Sequence, residues 1–139
     1  MSIYEQMEDE PLFHCSFYVG QAVNLSARLL GTTKHAGRNA WLRHLRESNQ
    51  RGFVYVWLCA GDMNAMERLV SGYFQPCYGR KSGRSLAVPP NPSIEPVEVI
   101  TSRKKSDWSA LRLAIADFPA RSPSIYMLAS APSGNGKAL

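Results

Sequence analysis

The sequence predicts an α/β domain in the order β-β-α-α-β-α over residues 1–80, with a C-terminal helical elaboration over residues 81–129 and a disordered tail over 130–139. Three observations carry this. Residues 12–19 and 53–59 are apolar runs rich in aromatic and β-branched side chains, which suit strands. Apolar residues recur at helical spacing in Trp41, Leu42 and Leu45, and again in Met63, Met66, Leu69, Val70 and Tyr73. Glycine and proline separate these runs at Gly20, Gly31, Gly52, Gly61 and Pro76.

Taken in order, Ile3 and Tyr4 open a short first strand that ends near the acidic turn from Glu8 to Pro11. Residues 12–19 form the second strand of a hairpin, and Gly20 ends it. A short helix follows over 23–30, with Asn24 as its cap or in its first turn. Residues 31–37 are a polar loop carrying Lys34 and His35. The helix over 39–48 is closed by Gly52, the strand over 53–59 leads to the Gly61-Asp62 turn, and Asp62 caps the next helix. Pro76 stops that helix, because proline lacks the N–H that a helix interior needs. Residues 89–96 hold four prolines and read as extended chain. A strand over 97–100 and a helix over 106–118, with Trp108, Leu111 and Ile115 as its buried stripe, complete the elaboration.

The bulk properties narrow the function. At 139 residues the chain is long enough to bury one core. No run of about 18 apolar residues exists, so no membrane span is expected. The acidic start (Glu5, Glu8, Asp9, Glu10) is unlike a signal peptide, and the expected compartment is the cytoplasm. Cys15, Cys59 and Cys77 are widely spaced, so neither a disulfide framework nor a zinc site is suggested. A bound metal must then be held by oxygen or imidazole. The net charge of +5 hides an asymmetry. All the bases lie beyond residue 10, clustered at Arg28, Lys34, Arg38, Arg43, Arg46 and Arg51, then at Arg80, Lys81 and Arg84, and at Arg103-Lys104-Lys105. Such a balance favours a polyanionic partner.

The residues able to do chemistry fit phosphodiester hydrolysis. That reaction needs an activated water, charge stabilisation at the phosphate and help for the leaving oxygen. One hard cation on one or two carboxylates is sufficient, with water and phosphate oxygens completing its shell. An arginine can grip the phosphate through two donors, and a tyrosine or histidine can serve as general base. Tyr4 and Tyr18 fall on adjacent predicted strands, Arg28 one helix later, and Glu67 on the helix after the 53–59 strand.

Tyr18-Val19-Gly20-Gln21, followed by Asn24-Leu25, Arg28 and Leu29, resembles the second motif and following helix of the GIY-YIG nuclease superfamily. Ser2-Ile3-Tyr4 resembles the first motif, with serine for its leading glycine. The resemblance covers about residues 2–80. It implies a small three-stranded antiparallel or mixed sheet flanked by helices, one magnesium or manganese ion, and a DNA substrate. It further implies that Glu67 holds the metal, Arg28 contacts the scissile phosphate, and Tyr18 with Tyr4 positions or deprotonates the water. Thr32 stands where the family often has tyrosine or histidine, a place that His35, ahead of His44, can take. Gly79 stands where the family has asparagine.

The basic segment from Gly79 to Arg84 can follow a phosphate backbone, its glycines allowing close approach. Gln21, Lys34, Arg80, Lys81 and Arg84 are the expected nucleic-acid contacts. Because the aromatic residues fall in the buried stripes, no stacking platform for single strands is evident, and duplex DNA is the expected partner. The chain's expected role is restriction or repair, either as a homodimer or directed by a targeting partner. The alternative is a module of the same fold that binds nucleic acid or protein without catalysis.

Overall fold

The computed structural model describes residues 14–31, 34–79, 83–85, 87–102 and 105–132. The strand expected at Ile3 and Tyr4, together with Arg80 and Lys81, lies outside the described residues. The elements are β1 (Cys15–Ala22), α1 (Leu25–Leu30), α2 (Ala36–Ser48), β2 (Gln50–Leu58), α3 (Met63–Phe74), β3 (Val97–Thr101), β4 (Ser106–Asp107), α4 (Ser109–Ala114) and β5 (Ser124–Pro132). The fold is α/β as expected. Its sheet has five described strands, all antiparallel and ordered β1-β5-β2-β3-β4, where three were expected.

The main difference is β5. Residues 124–132 were given no strand, and the tail was expected to start at residue 130. Instead they form a nine-residue strand between β1 and β2. Every β5 residue but the last is buried. A strand covered on both faces loses the apolar–polar alternation that marks a half-exposed one. The C-terminal segment thus lies inside the sheet, between β1 and β2.

Local chemistry sets most boundaries. The Asn24 side chain accepts from the Ala27 N–H at 3.0 Å and Asp62 from the Ala65 N–H at 3.1 Å, so both expected caps are present. Helix α2 starts earlier than expected because His35 caps it, Nδ1 accepting from the Arg38 N–H at 3.2 Å. It ends at Asn49, whose φ of 51° is left-handed, and not at Gly52. Gly52 lies inside β2, where a Cβ would come 2.4 Å from Leu45 and 2.7 Å from Trp41. Gln75, also left-handed at φ 52°, ends α3 ahead of Pro76. Helix α4 is shorter than the 106–118 prediction, since Ser106 and Asp107 pair with Thr101 and Ile100. The proline-rich segment runs beside β2, with Ser93 N–H donating to the Val56 carbonyl at 2.7 Å and Trp57 Nε1–H to the Pro90 carbonyl at 2.8 Å.

The sheet separates two apolar layers. On one face Val54, Val56, Tyr126 and Leu128 pack with Leu25 and Leu29 of α1, Trp41 and Leu45 of α2, and Leu111 of α4. On the other Val19, Tyr55, Trp57, Ile125 and Met127 pack with Met63, Met66, Val70 and Phe74 of α3. Beyond α3, the Tyr78 N–H donates to the Phe17 carbonyl on edge strand β1 at 2.9 Å, which brings the chain back past Tyr18.

Candidate functional site

Tyr18, Arg28, His35 and Tyr126 converge where β1 and β5 meet the start of α2. Tyr18 and Tyr126 lie on the same face of the sheet, in a register that sets Gly20 opposite Tyr126. The two rings are 6.1 Å apart, and the His35 ring is 5.5 Å from Tyr18 and 5.9 Å from Tyr126. Glycines make this crowding possible. A Cβ on Gly20 would come 2.6 Å from the Tyr126 hydroxyl and 2.9 Å from the Tyr18 ring, and one on Gly37 would come 2.8 Å from Tyr18. Gly79, with φ at 84°, closes on the same ring, so the position where the family has asparagine requires a left-handed backbone here.

Hydrogen bonds give the cluster a direction. His35 is buried, and its Nδ1 is occupied by the N-cap bond, so the ring proton sits on Nε2 and is donated to the Tyr126 hydroxyl oxygen at 2.5 Å. Burial, with Arg28 and Arg38 nearby, pushes the histidine down to about 4, so it is neutral at pH 7. The Arg28 guanidinium also bonds the Tyr126 hydroxyl, then that of Tyr18, and the first of these bonds holds its pKa above the ordinary arginine value. Tyr126 is fully buried and pushed up to about 12, mainly by desolvation, so it keeps its proton. The Tyr18 hydroxyl is the third group bonded to it.

Beside the cluster is an open cleft of about 370 Å³, lined by Gln21, Asn24, Ala27, Arg28 and Lys34 among others. Arg28 has no carboxylate partner among the described residues, and Lys34 is exposed. The cleft therefore presents two positive charges available to an anion. Gln21 is on the other face of β1, where its Nε2 donates to Asn64 Oδ1 of α3 at 2.7 Å. Asn64 and Glu67 are three residues apart and share one side of α3, so that bond sets Glu67 next to edge strand β1. The Glu67 side chain is half-buried and makes no hydrogen bond or ion pair with a described residue.

Of the sequence-predicted residues, Tyr18, Arg28 and His35 meet, Gln21 and Lys34 line the adjacent cleft, and Glu67 is not in contact with the cluster. Tyr4, Arg80 and Lys81 lie outside the described residues. Arg84 is exposed in a segment anchored to α3, where Ser85 N–H donates to the Gly72 carbonyl at 3.0 Å. His44 stacks on Phe17 and is not part of the cluster. Much of the basic cluster is structural. Arg38 donates to the Leu29 and Gly31 carbonyls at 3.0 and 3.1 Å, Arg46 to Ser102 and Ser106, and Arg51 to Glu98. The residue missed by sequence reasoning is Tyr126, and one signal was present: Ser-Ile-Tyr occurs twice, at 2–4 and at 124–126.

No protein-family model, curated protein or solved structure matches the chain. What fold and cluster define by themselves is an α/β domain with a guanidinium and a hydroxyl facing an open cleft at the edge of an antiparallel sheet.

Proposed function

We propose that the chain is a divalent-metal-dependent endonuclease that hydrolyses phosphodiester bonds in duplex DNA, of the GIY-YIG kind its motifs resemble. The observation that carries this reading is the meeting of Tyr18, Arg28 and His35, three residues to which the resemblance points, beside a cleft with two available positive charges. Arg28 grips the scissile phosphate and stabilises the charge that develops on it. Tyr126 and Tyr18 fix the guanidinium's orientation. The Tyr18 hydroxyl faces the attacking water and orients it or takes its proton. His35, neutral, serves as a fixed donor behind the tyrosines. Lys34 and Arg84 contact flanking phosphates. On this reading the protein acts in the cytoplasm, as a homodimer or with a partner that directs it to its target.

Among the described residues no three His, Cys, Asp or Glu side chains gather. Glu67, with its carboxylate unengaged, is the ligand the chain offers. One carboxylate suits magnesium or manganese, which keep much of their water and take phosphate oxygens from the substrate. Such an ion, when bound, supplies charge neutralisation and a more acidic water.

A second reading is a module that binds nucleic acid without cutting it. The specific observation in its favour is that Glu67 does not touch the Arg28 cluster. Incubation of supercoiled plasmid with the protein and Mg²⁺ or Mn²⁺ separates the two, alongside Glu67→Ala and Arg28→Ala. Nuclease function gives cleavage by the native chain and a loss of roughly 10²–10³-fold in each variant. No cleavage by any of the three, with DNA still bound, establishes the binding module instead. A parallel RNA substrate tests the choice of DNA.

A further inference from the structure

We infer that Tyr126 fills the place expected of Tyr4, as a positioning residue for Tyr18 and Arg28, and that the strand of the first motif is β5, last in chain order instead of first. This rests on the nuclease reading above. The first observation is in the sequence: the second Ser-Ile-Tyr triplet, Ser124-Ile125-Tyr126, opens β5. The second is topological. Strand β5 lies against β1, antiparallel, as the other arm of a hairpin would, with Ser124 opposite Ala22, Ile125 opposite Gln21 and Tyr126 opposite Gly20. Strand pairing depends on register and not on the order in which the chain supplies the strands, which is why permuted chains keep their folds.

The third observation is chemical. The Tyr126 hydroxyl is the point at which His35, Arg28 and Tyr18 meet. Gly20, the glycine of Tyr18-Val19-Gly20, is the gap through which the two tyrosines approach, since any Cβ there would collide with both. Tyr126 has no exposed surface, so it does not touch substrate. Its action is indirect: its hydroxyl is bonded to His35, Arg28 and Tyr18, so that the Tyr18 hydroxyl and the guanidinium keep one mutual geometry. The groups facing Tyr18 are then Arg28 from α1, His35 at the start of α2, Tyr78 from the segment after α3, and Tyr126 from β5.

The test compares Tyr126→Phe with Tyr4→Phe in the full chain, measuring kcat and KM on a DNA duplex with Mg²⁺ or Mn²⁺ and checking the fold by thermal melting. A positioning role predicts that Tyr126→Phe lowers kcat roughly 10- to 100-fold with KM within about twofold, because alignment is lost and binding is kept. Tyr4→Phe leaves both within about twofold. Should Tyr126→Phe fail to fold, 3-fluorotyrosine at position 126 keeps the ring and hydroxyl while weakening the latter's basicity, and a changed kcat at constant KM supports the same role. Loss of kcat in Tyr4→Phe, or unchanged kcat in a folded Tyr126→Phe, overturns the inference and leaves the nuclease reading standing. Absence of cleavage by the native chain overturns both.

Discussion

Each face of the sheet holds a histidine hydrogen-bonded to a buried tyrosine, and the two pairs differ in what surrounds them. On the α1/α2 face, His35 bonds Tyr126. On the α3 face, His14 bonds Tyr55 and stacks on Phe53 with ring centres 3.8 Å apart. Burial pushes both histidines down to about 4, and in each case a nearby arginine lowers them further. The arginines separate the pairs. Arg51 beside His14 is held by Glu98 through two bonds of 3.0 and 2.9 Å, and its guanidinium lies 5.1 Å from the centre of the Phe53 ring. Arg28 beside His35 is bonded to the hydroxyls of Tyr126 and Tyr18 and has no carboxylate partner among the described residues. A buried histidine–tyrosine pair is thus a satisfied polar contact and no more. On the proposed reading, a guanidinium with no carboxylate among the described residues, facing an open cleft, is what makes one of the two an anion site.

The sharpest way to break that comparison is to remove each arginine in turn. Arg28→Ala should lose roughly 10²–10³-fold in plasmid cleavage, whereas Arg51→Ala should stay within about twofold and cost up to about 1 kcal/mol of stability, as a mostly exposed ion pair does. Equal effects in a cleavage assay would show that the difference in pairing has no functional meaning.

Next in size is the crowding that only one pair requires. Gly20→Ala forces a methyl group against the Tyr126 hydroxyl and the Tyr18 ring and should cost about 1–3 kcal/mol in urea unfolding. Gly61→Ala, at a turn with nothing within 4 Å, should change stability by less than about 0.5 kcal/mol. Comparable unfolding midpoints for the two variants would mean that the cluster is loosely packed.

What the pairs share is tested by pH. In the unfolded chain a histidine protonates near 6.5, and in the fold His14 and His35 do so near 4. Between these values the unfolded state binds protons that the folded state refuses. The contribution is therefore complete above about pH 6.5 and is lost as pH falls through 4, and each histidine is worth up to about 3 kcal/mol over that window. His35→Asn keeps an N-cap acceptor while removing the titration, and His14→Asn removes the titration on the other face. Each should flatten the fall in urea midpoint between pH 7 and pH 4.5 by a similar amount. A flattening confined to one variant would show that only one histidine is held neutral.

Much of this was legible in the residues. Asn24 and Asp62 announce helix starts because short polar side chains satisfy free N–H groups there. Tyr18 and Arg28 could be grouped because a strand, a turn and a short helix leave few ways to connect them, and His35 joined them through the resemblance. What was not legible has identifiable causes. His35 reads as a loop residue because its capping role depends on a ring nitrogen whose use shows only in space. Arg38 and Arg46 look like a polyanion surface, yet their guanidinium groups satisfy carbonyls of α1 and of the turn at Ser102. That the helix carrying Glu67 covers the face of the sheet opposite the Arg28 cluster shows only in space.

The sequence by itself determined the α/β class, the caps at Asn24 and Asp62, and the strands β1, β2 and β3, because these rest on contacts between near neighbours in the chain. The tertiary structure alone decided that β5 lies between β1 and β2, which puts Tyr126 behind Tyr18 and Arg28, and that, among the described residues, Arg51 has a carboxylate partner while Arg28 has none. Each depends on residues far apart in sequence whose meeting is fixed by strand register and by burial on both faces of the sheet, and no local pattern encodes either.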